Sequence, residues 1–133
     1  MTKRLDSIDW LSLGVPEMPH WLEDMVSYDI QKREVAYNSF YDSGVIEINT
    51  ATPYVIPFLI DYLASESTPR KDAILQLLIV LASEADGYVK HPRLTELAKT
   101  VLTEIAKGMR VFEPYQQIDD TKELAVQLLT YIK

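Results

Sequence analysis

Cysteine is absent from this chain of 133 residues. That excludes a disulfide framework, a thiol nucleophile and a thiolate metal site, and it suits a reducing cytosol. Glycine occurs four times, always singly, so no glycine-rich loop is present to cradle a phosphate. Histidine occurs twice, as His20 and His91, in neither case with metal-pair spacing. No serine stands in a Gly-x-Ser-x-Gly context. No catalytic residue, metal or cofactor is therefore expected. The longest apolar runs, around residues 55–60 and 77–82, are far too short to span a bilayer. Residues 1–6 contain no apolar signal core. Positive charge is also scarce: 13 Lys and Arg stand against 20 Asp and Glu, a net charge of −7. A phosphate-binding face has to be basic, so nucleic acid is not the expected partner. These absences describe a soluble, cytoplasmic, acidic protein with no membrane segment.

What is present is apolar and helical. Hydrophobic residues make up 47% of the chain and charged ones 25%, ordinary globular values. A chain of this length forms one domain with a real core. Its densest part is the run Thr50-Ala51-Thr52-Pro53-Tyr54-Val55-Ile56-Pro57-Phe58-Leu59-Ile60-Asp61-Tyr62-Leu63. Thr52 before Pro53 reads as a helix start, a capping hydroxyl followed by proline at the first helical position. Pro57 has two readings: it sits one turn into that helix and kinks it, or it begins the helix itself. A short polar break ending at Pro69 precedes a second apolar helix with Ala73, Ile74, Leu75, Leu77, Leu78 and Leu81. With so short a linker, residues 53–64 and 70–83 are expected to form an antiparallel pair. Leu59 and Leu78 should lie fully buried within it.

Around that pair the pattern continues helix by helix. Leu5, Ile8, Trp10, Leu11 and Leu13 suit a short docking helix closed by Gly14 and Pro16. His20 to Val26 reads as a turn or two of helix. Residues 27–41 read as a longer one, with Val26, Ile30, Tyr37 and Tyr41 lining one side and Ala36 and Phe40 beside them. Val45-Ile46-Glu47-Ile48 alternates like a strand, but no second alternating segment can pair with it, so an extended connector is expected. Residues 83–92 read as a polar loop. Leu94, Leu97, Ala98, Val101, Leu102 and Ile105 fall at the spacing of an amphipathic helix, with Gly108 as its stop. Phe112, Pro114 and Tyr115 occupy the next loop. Asp120-Thr121-Lys122-Glu123 reads as a capping box before a last helix with Leu124, Ala125, Leu128, Leu129 and Ile132. That helix is expected either to pack back on the stack or to meet another chain, which would make a homo-oligomer through the C-terminal helix.

The run from Ala51 to Leu63, preceded by a polar, Gly-containing connector and followed by the Pro69-initiated, Leu-rich helix, resembles a recurrent segment of bacterial HEAT-like repeat proteins of the PBS lyase/armadillo type. The resemblance covers about 40 residues, and hairpin-like units that start near Pro53 and Pro92 stand about 39 residues apart, near the period of such repeats. It implies an all-α fold in which irregular antiparallel helical hairpins stack as a short HEAT-like α-α superhelix. Residues 1–133 would then be one domain, with 1–50 as flanking helices and 51–133 as the central helix pairs. The class includes DNA glycosylases, but those need a basic concave channel, and the charge here is of the other sign.

The acids are concentrated at the front. Residues 1–50 hold four basic side chains (Lys3, Arg4, Lys32, Arg33) against nine acidic ones (Asp6, Asp9, Glu17, Glu23, Asp24, Asp29, Glu34, Asp42, Glu47). Trp10, Trp21, Tyr28, Tyr37, Phe40 and Tyr41 lie among them. Solvated acids aid solubility and large rings pack cores. Rings among surface acids also suit an interface, since Tyr and Trp bury much area at low entropic cost. The expected partner-binding residues are Trp21, Glu23, Asp24, Tyr28, Asp29, Tyr37 and Tyr41. Reversing Glu23, Asp24 and Asp29 should slow association and leave the melting temperature nearly unchanged. The function expected is a non-enzymatic protein–protein interaction module with a basic protein partner, of which an immunity-type protein neutralising a basic toxin is one form. The alternative is an enzyme holding a small substrate in a pocket between helices.

Overall fold

The structure is a computed structural model that describes residues 5–132, and all its regular structure is helical. Residues 1–4, part of the stretch read for a signal core, and residue 133 lie outside the described residues. The chain enters through a 3-10 turn at Leu5–Ser7. It continues as α1 (Met18–Met25), α2 (Ile30–Asp42), a second 3-10 turn (Val45–Glu47), α3 (Thr52–Ala64) and α4 (Lys71–Tyr88). Then follow α5 (Thr95–Ala106), the one-turn α6 (Met109–Phe112), a 3-10 turn (Glu113–Gln117) and α7 (Lys122–Ile132). The all-α class is as expected.

α4 is the longest helix, and α3, α5 and α7 pack on it. It buries Ile74, Leu75, Leu77, Leu78, Ile79, Leu81, Ala82 and Ala85, which lie on more than one face. Its neighbours are α3, α5, α7 and the 3-10 turn at Val45–Glu47. Leu59 and Leu78 are fully buried, as expected. The helix runs five residues beyond the expected end at 83. Ala82 and Ala85 extend the buried row from Leu78 and Leu81, while Ser83 and Asp86 face water. A polar-looking stretch therefore stays helical because its alanines keep the packing period.

α3 is continuous from Thr52 to Ala64, with Pro57 inside it. Pro57 therefore lies one turn into the helix rather than beginning it. Thr52, however, is not a cap. Its buried hydroxyl donates to Val45 O at 2.8 Å and accepts from Asn49 N at 2.9 Å, so it holds the preceding connector rather than the free N–H groups of its own helix. That connector is not extended. Gly44 takes a left-handed φ of 87°, residues 45–47 form the 3-10 turn, and Ile48 sits at φ 63°. Val45 and Ile48 are both buried, so the turn folds its apolar residues under α4.

Residues 5–13 form one 3-10 turn followed by irregular turns instead of a docking helix. The Asp9 carboxylate accepts from Ser12 N at 3.1 Å and Ser12 Oγ at 2.6 Å, which closes the chain on itself before a longer helix can grow. Trp10 still docks, with its Nε1 donating to Leu5 O at 2.8 Å, whereas Leu11 is 74% exposed. At the other end, α5 buries Ala98, Val101 and Ile105 as its spacing predicts. The expected capping box does not start α7. The residue before that helix is Thr121, whose hydroxyl donates to Tyr115 O at 2.9 Å, and Asp120 is exposed one residue earlier. Tyr115 in turn donates its hydroxyl to Leu63 O, tying the 3-10 turn to the end of α3. α7 packs back on α4 and α5. One continuous core runs from Trp10 to Leu129, joining the N-terminal helices to the central ones. Among the described residues no helix is long and apolar enough to cross a membrane.

Candidate functional site

α2 begins at a capped turn. Asp29 Oδ1 accepts from Gln31 N at 3.0 Å and Lys32 N at 3.2 Å, and Asp29 N donates to Ser27 Oγ at 3.1 Å. Arg33 folds back to give Nη1 to Ser27 O at 3.0 Å. The expected apolar stripe is displaced. Ala36 and Phe40 are the buried pair, while Ile30 is 62% and Tyr41 40% exposed and Tyr37 is half-buried. α2 packs mainly on α1 and on the 3-10 turn at Val45–Glu47, so its inner face is set by those contacts. Ile30, Glu34, Tyr37 and Tyr41 are left as a row along one side.

Ile30, Glu34 and Tyr37 of that row, with Arg33 and Asn38 of α2, form one wall of a cleft of about 400 Å³ that Arg70 and Ala73 at the start of α4 complete. Arg70 sits in the left-handed region (φ 53°, ψ 53°) immediately before the helix. It holds Asp72 through two bonds of 3.0 Å, from Nε and Nη2. Tyr28 donates its hydroxyl to Ser67 O, so it braces the start of α2 against the α3–α4 connection while its ring stays 72% exposed. Tyr37 Oη is the buried side-chain polar atom, among the described residues, that has no hydrogen-bond partner. Burial, with smaller contributions from Tyr41 and Asp72, pushes the Tyr37 hydroxyl far above its ordinary pKa. It therefore stays protonated and free to donate or accept.

Of the seven expected residues, Tyr37 and Tyr41 lie on α2, Tyr28 and Asp29 stand just before it, and Tyr37 lines the cleft. Trp21, Glu23 and Asp24 lie on α1 and are not among the residues lining it. Trp21 is half-buried and packed against the core. Glu23 is exposed within electrostatic reach of Tyr62 of α3, whose hydroxyl is pushed up to about 12 chiefly by burial, then by Glu23 and Asp61. Asp24 lies 3.3 Å from His20 Nε2. Asp29 is a correction: as the cap of α2 it cannot be reversed without cost to stability. The lining contributed by Ile30, Arg33, Glu34, Asn38, Arg70 and Ala73 was not expected. Ile30 and Tyr37 were read as a core-facing stripe, and nothing local in the sequence marks which side of α2 meets α1.

A second cleft of about 670 Å³ lies where the N-terminal turns meet α3 and α5. It is walled chiefly by Ile8, Leu13, Pro53, Tyr54, Pro57, Phe58 and Leu97. Several of its polar groups are engaged: Thr100 Oγ1 donates to Glu96 O at 2.9 Å, and Lys107 pairs with Glu104. Among the described residues no group of three His, Cys, Asp or Glu side chains is arranged to hold a metal ion. No family model, curated protein or solved structure matches the chain.

Proposed function

We propose that the chain is a non-enzymatic, HEAT-like protein-binding module whose acidic N-terminal part receives a basic protein. An immunity-type protein that neutralises a basic toxin is the form of this function that its charge and its HEAT-like segment favour. The observation that carries the reading is where the acids stand. Glu17, Glu23, Asp29, Glu34, Asp42 and Glu47 are all exposed. The two pairs formed between Lys or Arg and a carboxylate of described residues, Arg70–Asp72 and Lys107–Glu104, both lie beyond residue 50. A surface of one sign steers an oppositely charged partner and raises its rate of encounter.

The HEAT-like part of the reading draws on packing. α3 contacts α5, α4 contacts α7, and α4 contacts α5, the contacts that two stacked hairpins make with each other. The enzyme alternative finds less support, because Thr100 and the Lys107–Glu104 pair of the larger cleft are already engaged with the protein itself.

The test is to capture the partner on the immobilised chain and follow association across ionic strength, with Glu23, Glu34 and Asp42 reversed to Lys together. The on-rate should fall with salt, and by about tenfold on reversal, with the melting temperature nearly unchanged. A partner whose association ignores both salt and reversal overturns the proposal.

A further inference from the structure

We infer that the larger cleft, between the N-terminal turns, α3 and α5, is a binding site for a neutral, mainly apolar small molecule that carries an N–H or O–H donor. Such a site goes beyond the protein-binding function proposed above and does not depend on it. None of the three acids reversed in that function's test lines the cleft.

Three properties of the cleft select that class of ligand. The first is its size and walls. At about 670 Å³ it falls within the ~300–1,000 Å³ typical of small-molecule sites. Ile8, Leu13, Phe58 and Leu97 supply apolar wall. Phe58 is buried, with its ring centroid 6.2 Å from that of Trp10, and Ile8, Leu13 and Leu97 pack on the core. The walls therefore stand before a ligand arrives, which lowers the entropic cost of binding.

The second is charge. Among the described residues lining the cleft, Glu104 and Lys107 carry the charge, and they pair with each other. The lining is neutral as a whole, so an ion entering it would lose hydration without meeting an unspent opposite charge. That selects a neutral ligand over a carboxylate, a phosphate or an amine. The third is hydrogen bonding. Pro57 has no N–H, so the helical bond from residue 57 to the carbonyl of Pro53 cannot form. Pro53 and Pro57 stand one turn apart on one side of α3, and both line the cleft. The carbonyl of Pro53, an acceptor without its helical donor, is thereby set on the cleft side of the helix. Thr100 spends its proton on Glu96 O and keeps lone pairs with which to accept. The wall thus offers acceptors to a ligand that brings a donor.

The test uses the full chain, labelled with nitrogen-15, and three fluorescent probes that brighten in apolar surroundings. N-phenylnaphthylamine is neutral, with two ring systems and one N–H. Its N-methyl analogue lacks the donor, and anilinonaphthalene sulfonate adds a negative charge. The first should bind one to one and move the amide signals of Leu13, Tyr54, Phe58 and Leu97. The other two should each bind about tenfold more weakly. Pro57→Ala gives the carbonyl of Pro53 an N–H partner within the helix, so it should cut the difference between the first two probes to about twofold or less. Tyr54→Ser should weaken all three, and Ile30→Ser, in the smaller cleft, should change none. All three variants should keep the wild-type circular dichroism, since Tyr54 and Ile30 are exposed and alanine favours the helix that proline interrupts. Equal affinity for the first two probes, or a difference that survives Pro57→Ala, would overturn the donor. Sulfonate binding as tight as that of the neutral probe would overturn the neutral ligand. No binding, or signals that move around Ile30 and Tyr37 instead, would overturn the site. None of these outcomes touches the salt-dependent capture of a basic protein.

Discussion

The buried hydroxyl of Thr52 and the carbonyl of Val45 are joined by a hydrogen bond of 2.8 Å, from the first residue of α3 back to the 3-10 turn beneath α4. The same oxygen accepts from Asn49 N at 2.9 Å. One side chain thereby satisfies a donor and an acceptor of the connector that links the N-terminal helices to the central ones.

Thr52→Val keeps the shape and removes both bonds. It should destabilise the protein by about 1–3 kcal/mol, the usual cost of leaving buried backbone groups unpaired. Thr52→Ser, which keeps the hydroxyl, should lose less. Urea melts of the two variants make the comparison, and a Thr52→Val variant as stable as the wild type would show that the bonds do not matter.

Gly108 and Gly87 should respond oppositely to alanine. A Cβ at Gly108 would lie 2.6 Å from Phe112 Cζ and 2.8 Å from Ile60 Cδ1, where α6 begins against α3. Phe112 is fully buried and has little room to give. Gly108→Ala should cost about 1–3 kcal/mol. Gly87, in the last turn of α4, has nothing within 4 Å of its added carbon. Gly87→Ala should be neutral or stabilising by up to about 1 kcal/mol. Thermal melts of both decide it.

Asp29 and Glu23 separate a structural acid from a surface one. Asp29→Lys removes the cap of α2 and puts a cation at a helix N-terminus. It should cost about 1–2 kcal/mol. Glu23→Lys should leave the melting temperature nearly unchanged, because Glu23 is exposed on α1. Matching losses in the two variants would contradict the assignment of Asp29 as a cap.

Asp72 should contribute to the acid limb of stability. The paired hydrogen bond from Arg70 holds its carboxyl below the ordinary carboxylate range, against a smaller opposing effect of burial. A folded-state pKa below the unfolded one means that the stabilisation is present above the ordinary carboxylate value of about 4 and is lost as pH falls through the folded value. Asp72→Asn should therefore lose stability at neutral pH and show a shallower decline on acidification. Denaturant midpoints measured from about pH 6 to about pH 2 would show it, and an acid limb parallel to the wild type would refute it.

How much could be read from the sequence depended on whether the deciding contacts were local. The helical class, the α3–α4 pairing, the burial of Leu59 and Leu78 and the inward face of α5 followed from the spacing of apolar residues, because a helix must turn its apolar stripe away from water. The absence of cysteine and the excess of acid at the front were matters of composition alone.

Tertiary structure decided the rest. Thr52 looks like a cap in sequence and Asp120 like the start of a capping box, yet the hydroxyls of Thr52 and of Thr121, the residue before α7, bond carbonyls brought near by folding, at Val45 and Tyr115. α4 outran its expected end because two alanines found partners. The side of α2 that meets α1 was settled by packing, which buried Ala36 and Phe40 and left Ile30 and Tyr41 at the surface. With apolar residues on adjacent faces, the helical period allowed either rotation of α2, and only burial against real neighbours could choose between them. The cleft with Tyr37 in its wall exists because of that choice.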